Sequence, residues 1–119
     1  MGDLSLHFDR KEFECLDCHE AFMDMDFINR LEEARTLGGI PFQINSGYRC
    51  KKHNKEVGST SNNHTSGRAA DIQCLLGSAR RLIINALIQA GFNRLGIGKT
   101  YLHVDIMDAY GSPKSYWVY

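Results

Sequence analysis

Two short stretches carry residues able to do chemistry, "SNNHTSGRAAD" at 61–71 and "YLHVDI" at 101–106. The first reads as loop until Ala69, yet Asp71 falls inside the apolar-rich run "AADIQCLL". A carboxylate in such a run needs a partner, because burying an unpaired charge is costly. His64 lies seven residues earlier, and a loop of that length can fold back to set its imidazole beside Asp71. In the second stretch, strand alternation puts His103 and Asp105 on one face and Leu102, Val104 and Ile106 on the other. If the two strands are neighbours, Asp71 and His103 meet. Two histidines and one aspartate make a three-ligand set with one coordination position open, as a catalytic zinc requires. Zinc held there acidifies its bound water into a nucleophile near neutral pH. The spacing alone equally allows a surface ion pair or an ordinary polar contact.

Positioning such a set requires strands and the helices that back them. "MDMDFINRLEEARTLGG" has Phe27, Ile28, Leu31, Ala34 and Leu37 at helical spacing, with Asp24 or Asp26 to cap its start and Gly38 to end it. "IPFQIN" (40–45) follows as a short strand. Residues 46–68 form a long irregular segment, the kind that is usually functional or mobile, with a short helix expected in "CKKHNKEVG". A strand over 69–74 leads to the helix "SARRLIINALIQA", capped by Ser78 and ended at Gly91. Strands then fit 94–98 and 101–106, with a last piece at "SYWVY". Two main helices on one small, mostly antiparallel sheet make an α+β fold.

Composition sets the outer limits. A chain of 119 residues, 43% hydrophobic and 24% charged, suits one ordered domain over 1–119. Formal net charge is zero, which argues against a general nucleic-acid binder. No apolar run approaches the ~20 residues needed to span a bilayer. The start, "MGDLSLHFDRKEF", lacks an apolar core, so no secretory signal is expected and the chain is expected to be made in the cytoplasm. Without an export signal, free thiols are the default for Cys15, Cys18, Cys50 and Cys74. "CLDCH" can also contribute Cys15, Cys18 and His19 to a structural zinc site, with Cys50 or His53 to complete it.

The order of motifs adds a further reading. "SGYR" at 46–49, "NNHTSGRAAD" at 62–71 and "HVD" at 103–105 resemble the zinc D-Ala-D-Ala carboxypeptidase family, within the wider group of lysostaphin-type peptidases and the hedgehog signalling domain. "FECLDC", "MDFINRLEEAR" and "GIPFQINSGYR" look like the short, phage-type branch, so the resemblance runs over nearly the whole chain. It implies zinc held by His64, Asp71 and His103, and Arg49 facing the substrate. A fixed guanidinium there offers charged donors to a developing oxyanion. Asn62 stands where the family usually has serine and is expected to serve as a polar substrate contact. Tyr48 is expected to contact substrate too, while Tyr101 and Trp117 either line a groove or are buried.

The family's usual carboxylate three residues before the third ligand is replaced by Thr100, which cannot act as a base. Asp105 is the nearest substitute. It either takes the proton from the attacking water as general base or orients a ligand imidazole, and Glu56 is the next candidate base. The activity implied is zinc-dependent hydrolysis of peptide bonds in bacterial peptidoglycan, as a carboxypeptidase or an endopeptidase of endolysin type. Its partner would be a stem or crossbridge peptide, with no nucleic acid and no membrane, and the chain is expected to be a monomer. It would reach the wall after release from the cell or as part of a phage particle. The alternative is a non-catalytic zinc-containing binding domain of the hedgehog type.

Overall fold

The structure, a computed structural model, describes residues 2–119. Helix α1, Met25–Gly38, begins where the Asp24 carboxylate accepts a hydrogen bond from the Phe27 N–H, and ends at Gly39 in the left-handed region. The expected ending was one residue earlier. Phe27, Ile28, Leu31 and Ala34 are buried, while Leu37, the last of the spaced series, is half exposed.

Helix α3, Gly77–Gln89, packs beside α1 and buries Ile83, Ala86 and Leu87. Ser78 does not cap it, because the helix starts at Gly77, which makes Ser78 its second residue, and Leu76 holds the cap position without a side-chain bond. Arg80 ties this end down instead, donating to the carbonyls of Gly98 at 2.7 Å and Cys74 at 3.4 Å. The short helix α2, Lys51–Glu56, forms as expected inside the irregular segment.

Five strands follow in chain order as β1 (Ile44–Ser46), β2 (Ala69–Gln73), β3 (Arg94–Ile97), β4 (Tyr101–Asp105) and β5 (Ser115–Val118). The sheet order is β1-β2-β4-β3-β5, antiparallel except for the parallel pair β3–β5. β1 is shorter than the pattern implied and starts later, since residues 40–43 run outside the sheet. One face carries Ala70, Ile72, Leu95, Leu102 and Val104 into a core shared with Phe27, Leu31, Ile83, Leu87 and Phe92. Each large apolar side chain fully buried there stabilises the fold by roughly 1.5–3 kcal/mol. The fold class is the α+β arrangement expected, with α2 as a third, smaller helix.

The opposite face holds the polar residues. The pairings Ser46–Asp71, Asp71–His103, His103–Gly96 and Gly96–Trp117 run as one row across all five strands. The alternation that drives Ile72 and Leu102 into the core therefore drives Asp71 and His103 together on the other side.

Candidate metal centre

Asp71 and His103 face each other on the two central strands, with His103 Nδ1 3.0 Å from Asp71 Oδ1. The loop before β2 brings in the third group, and His64 Nε2 lies 3.5 Å from the same oxygen. The loop returns at Gly67, whose φ of 73° favours glycine and where any Cβ would lie 2.0 Å from the Phe22 carbonyl oxygen. His64 and His103 are both buried.

Each imidazole has its other nitrogen committed. His64 Nδ1 pairs with the Gly47 carbonyl at 2.8 Å, and a carbonyl only accepts, so Nδ1 carries the proton and Nε2 is free to ligate. His103 Nε2 pairs with Asp105 Oδ2 at 2.6 Å, which leaves Nδ1 toward Asp71. The sites of His64, Asp71 and His103 lie within 4.8 Å of one another. Zinc–ligand bonds of about 2.0–2.1 Å at tetrahedral angles require ligand atoms about 3.3 Å apart, so distances of 3.0 and 3.5 Å from Asp71 Oδ1 suit that ion. Both distal nitrogens carry the oxygen partners that orient ligand imidazoles in metal sites. The donor set thus fits zinc.

Electrostatics follow this geometry. Burial alone would raise the Asp71 carboxyl, but bonds and charge from His103 and His64 hold it well below the usual carboxylate range. Burial would lower His103, yet Asp105 and Asp71 on its two nitrogens raise it. Asp105 is fully buried. Burial opposes its ionised form, while His103, the Met107 N–H and Arg94 favour that form, and the net shift is downward.

The cluster opens on a hollow of about 160 Å³ shared with Arg49, Ser59, Asn63, Tyr101 and Tyr119. Arg49 is fixed on three sides, by Ser46 Oγ at 3.2 Å, Asn54 Oδ1 at 3.5 Å and Asp71 Oδ2 at 3.5 Å. Asp105 is not on this hollow but behind His103. Its Oδ1 accepts from Arg94 Nε at 2.7 Å and from the Met107 N–H at 2.9 Å, so both oxygens are engaged.

Asn62 and Tyr48, named as substrate contacts, do not line this hollow. Asn62 is exposed and its carbonyl closes a turn with Ser66; its neighbour Asn63 lines the hollow instead. Tyr48 stacks edge-on against Phe22 and lines a second hollow that holds Cys15. Arg49 borders both hollows. Tyr101 lines the site, whereas Trp117 packs on the His103 ring at 5.6 Å. Glu56 is on α2 beside His53, and Thr100 is exposed in the β3–β4 turn. The hollow includes no carboxylate apart from Asp71 among the described residues.

Sequence reasoning missed Asn54, Ser59, Arg94 and Tyr119. Arg94 alone had a signal, since alternation in "RLGIG" places it opposite the Leu95 core face. Tyr119 follows no period that would mark it.

A protein-family model described as peptidase M15 matches residues 6–106, a span that includes His64, Asp71, His103, Arg49 and Asp105 but not Trp117 or Tyr119. No curated protein matches the chain.

Proposed function

Because the chain belongs to the peptidase M15 family, we propose that it is a zinc peptidase of the D-Ala-D-Ala carboxypeptidase type that hydrolyses peptide bonds of bacterial peptidoglycan. The observation that supports this most is the convergence of His64 Nε2, Asp71 Oδ1 and His103 Nδ1 beside a fixed, hollow-facing Arg49. His64, Asp71 and His103 would hold the ion. When bound, zinc supplies Lewis acidity, lowering the pKa of water and polarising a carbonyl.

The remaining work belongs to side chains. Arg49 binds the peptide: its guanidinium is aimed by Ser46 and Asn54 and offers charged N–H donors to a carbonyl oxygen or terminal carboxylate. Asp105 acts as a positioning residue. It holds the proton of His103 on Nε2, so Nδ1 keeps its lone pair toward the site. General-base action by Asp105 is disfavoured, because its oxygens are filled from behind the ring. Tyr101 is a neutral O–H donor on the hollow, since burial and the Asp71 charge raise its phenol.

The substrate, a stem or crossbridge peptide with D-amino acids near the cut, follows from the motif order in "SGYR", "NNHTSGRAAD" and "HVD". The resemblance of "FECLDC" and "GIPFQINSGYR" supports the short, phage-type branch, and the reading takes a monomeric single domain that reaches the wall after release or on a particle. No helix among the described residues is long and apolar enough to cross a membrane.

One observation favours a second reading, a zinc-containing binding domain. The hollow offers no carboxylate free to act as base. Digestion of purified peptidoglycan by zinc-loaded protein, with products weighed by mass spectrometry and His64→Ala as control, separates the two. New peptide termini that depend on His64 support the peptidase. Intact muropeptides with retained binding support the second reading.

A further inference from the structure

A second group of soft ligands lies on the far side of Arg49. Cys15, Cys18 and Cys50 have sulfurs within 4.8 Å of one another, although 35 residues separate Cys15 from Cys50. We propose that Cys15, Cys18 and Cys50 bind a structural zinc ion, with His53, whose ring lies outside that 4.8 Å group and would turn inward from Glu56, as the fourth ligand. Nothing in the hydrolytic reading uses these residues.

The backbone is arranged for thiolates. Cys15, Asp17 and Cys18 lie in a tight turn closed by bonds from the His19 N–H to the Cys15 carbonyl at 2.9 Å and from the Cys15 N–H to the Glu20 carbonyl at 2.8 Å. His19, directly after the second cysteine, has φ 59°, the sole positive φ outside glycine among the described residues. That conformation is uncommon for a residue with a Cβ and marks a constrained turn. The 50–53 segment aims backbone N–H groups at sulfur: Cys15 Sγ accepts from the Cys50 N–H at 3.4 Å, and Cys50 Sγ accepts from the His53 N–H at 3.4 Å. Such donors stabilise thiolate charge as a bound cation would require.

The separations suit one ion. Zinc–sulfur bonds of about 2.3 Å at tetrahedral angles place sulfurs about 3.8 Å apart, and Cys15 Sγ lies 3.6 Å from Cys50 Sγ. Thiolates select zinc among common divalent ions, and three of them with an imidazole make a closed, structural set. His53 comes three residues after Cys50, on the same side of the first turn of α2, and borders the hollow that Cys15 borders. Its Nδ1 is held only by Glu56 at 3.7 Å, and Glu56 is half exposed. Binding takes all three sulfurs as thiolates, and any proton still on them goes to solvent.

The consequence reaches the first site. Arg49 precedes Cys50, so an ion clamping Cys50 to the 15–18 turn anchors the segment that aims the guanidinium. The test is cobalt substitution of protein purified under reducing conditions without chelator, together with elemental analysis. A thiolate-to-cobalt charge-transfer band and a second metal equivalent per chain are expected. The set of His64, Asp71 and His103 has no sulfur and cannot give that band. Cys18→Ser, at an exposed position, should lose the band and one equivalent while staying folded, and His64→Ala should keep the band. His53→Ala should weaken binding at least tenfold, and unchanged affinity would remove His53 from the set. Absence of the band in parent protein, or a Cys15–Cys50 disulfide in its place, would overturn the proposal.

Discussion

Asp105→Asn is the most informative single change, because the two roles open to this residue predict different losses. The carboxylate accepts from three sides: His103 Nε2 at 2.6 Å, Arg94 Nε at 2.7 Å and the Met107 N–H at 2.9 Å. An amide has one acceptor oxygen and one donor nitrogen, so it cannot meet all three. With its oxygen toward His103, its NH2 faces the Arg94 and Met107 donors. With its NH2 toward His103, Nε2 must accept, the ring proton moves to Nδ1, and the lone pair that would hold the ion is lost. The first orientation leaves buried donors unpaired, at about 1–3 kcal/mol, and the second gives up the metal-facing lone pair. Arg94 also loses its charge partner, and its side chain is only 11% exposed. A positioning role therefore predicts a lower unfolding midpoint and metal affinity reduced about ten- to a hundredfold, with turnover largely recovered at saturating zinc. A general base predicts native metal affinity and a loss of roughly two to four orders of magnitude that zinc does not restore. Turnover measured across a zinc titration, with calorimetry on the same samples, reads both. Full zinc occupancy, an unchanged midpoint and turnover still collapsed would refute the positioning argument.

Arg49→Ala should retain zinc and lower turnover by on the order of a hundredfold, while Lys recovers only part because it lacks the planar fork; kinetics beside metal analysis check this. Gly96→Ala places a Cβ 2.7 Å from Trp117 Nε1 and the Tyr119 ring, so about 1–3 kcal/mol of stability should be lost and β5 loosened, readable by hydrogen exchange at 115–118. Glu32 is bonded by Ser5 and His7; burial raises its carboxyl, but the His7 and Ser5 bonds outweigh this and lower it. A depressed carboxylate stabilises the fold above its unfolded pKa of about 4.3, and that stability is lost as pH falls through the folded value. Glu32→Gln should thus lie below the parent in midpoint at neutral pH, and the gap should close on acidification in thermal melts; a gap constant down to strong acid would contradict it.

What could be read from residues alone divides along a physical line. Period-2 alternation in "YLHVDI" and "AADIQ" was legible because one face of each strand must be buried, and that requirement fixes where His103 and Asp71 point. The Phe27, Ile28, Leu31 and Ala34 stripe of α1 was legible for the same reason at a period of 3.6. The start of α3 was not, because it is anchored by Arg80 donating to the distant Gly98 and Cys74 carbonyls rather than by a serine accepting from its first turn. Contacts made across loops were not legible either. Tyr48 and Asn62 flank Arg49 and His64 in sequence, but each turn sends neighbouring side chains to different sides. The role of Asp105 was undecidable from spacing, since one strand face is compatible with both sides of an imidazole. The rotation of the His103 ring, with Nε2 toward Asp105, is the feature that favours the positioning role.

The two candidate metal sites differ in what assembles them. Around Asp71 the partners exist without an ion: both imidazoles are buried, each has its distal nitrogen bound, and the Asp71 carboxylate is paired with His64, His103 and Arg49. Folding of the sheet orders those groups, so little rotamer entropy remains to be lost when a ligand arrives. The same pairing opposes the ion, because a cation must displace the contacts that Asp71 already makes. That set is therefore rigid and moderately self-satisfied, which favours exact placement over maximum affinity. Around Cys15 the balance is reversed. Cys18 is exposed, hydrogen bonds to sulfur are weak, and loose sulfur contacts with one exposed ion pair, Lys52–Asp17 at 3.7 Å, join 15–18 to 50–53. A cation there would displace little and would cross-link two segments far apart in sequence, so its binding energy would act as folding energy. The segment it would fix begins one residue after Arg49. An ion there would thus add a second anchor behind Arg49, which Ser46, Asn54 and Asp71 already hold from the front.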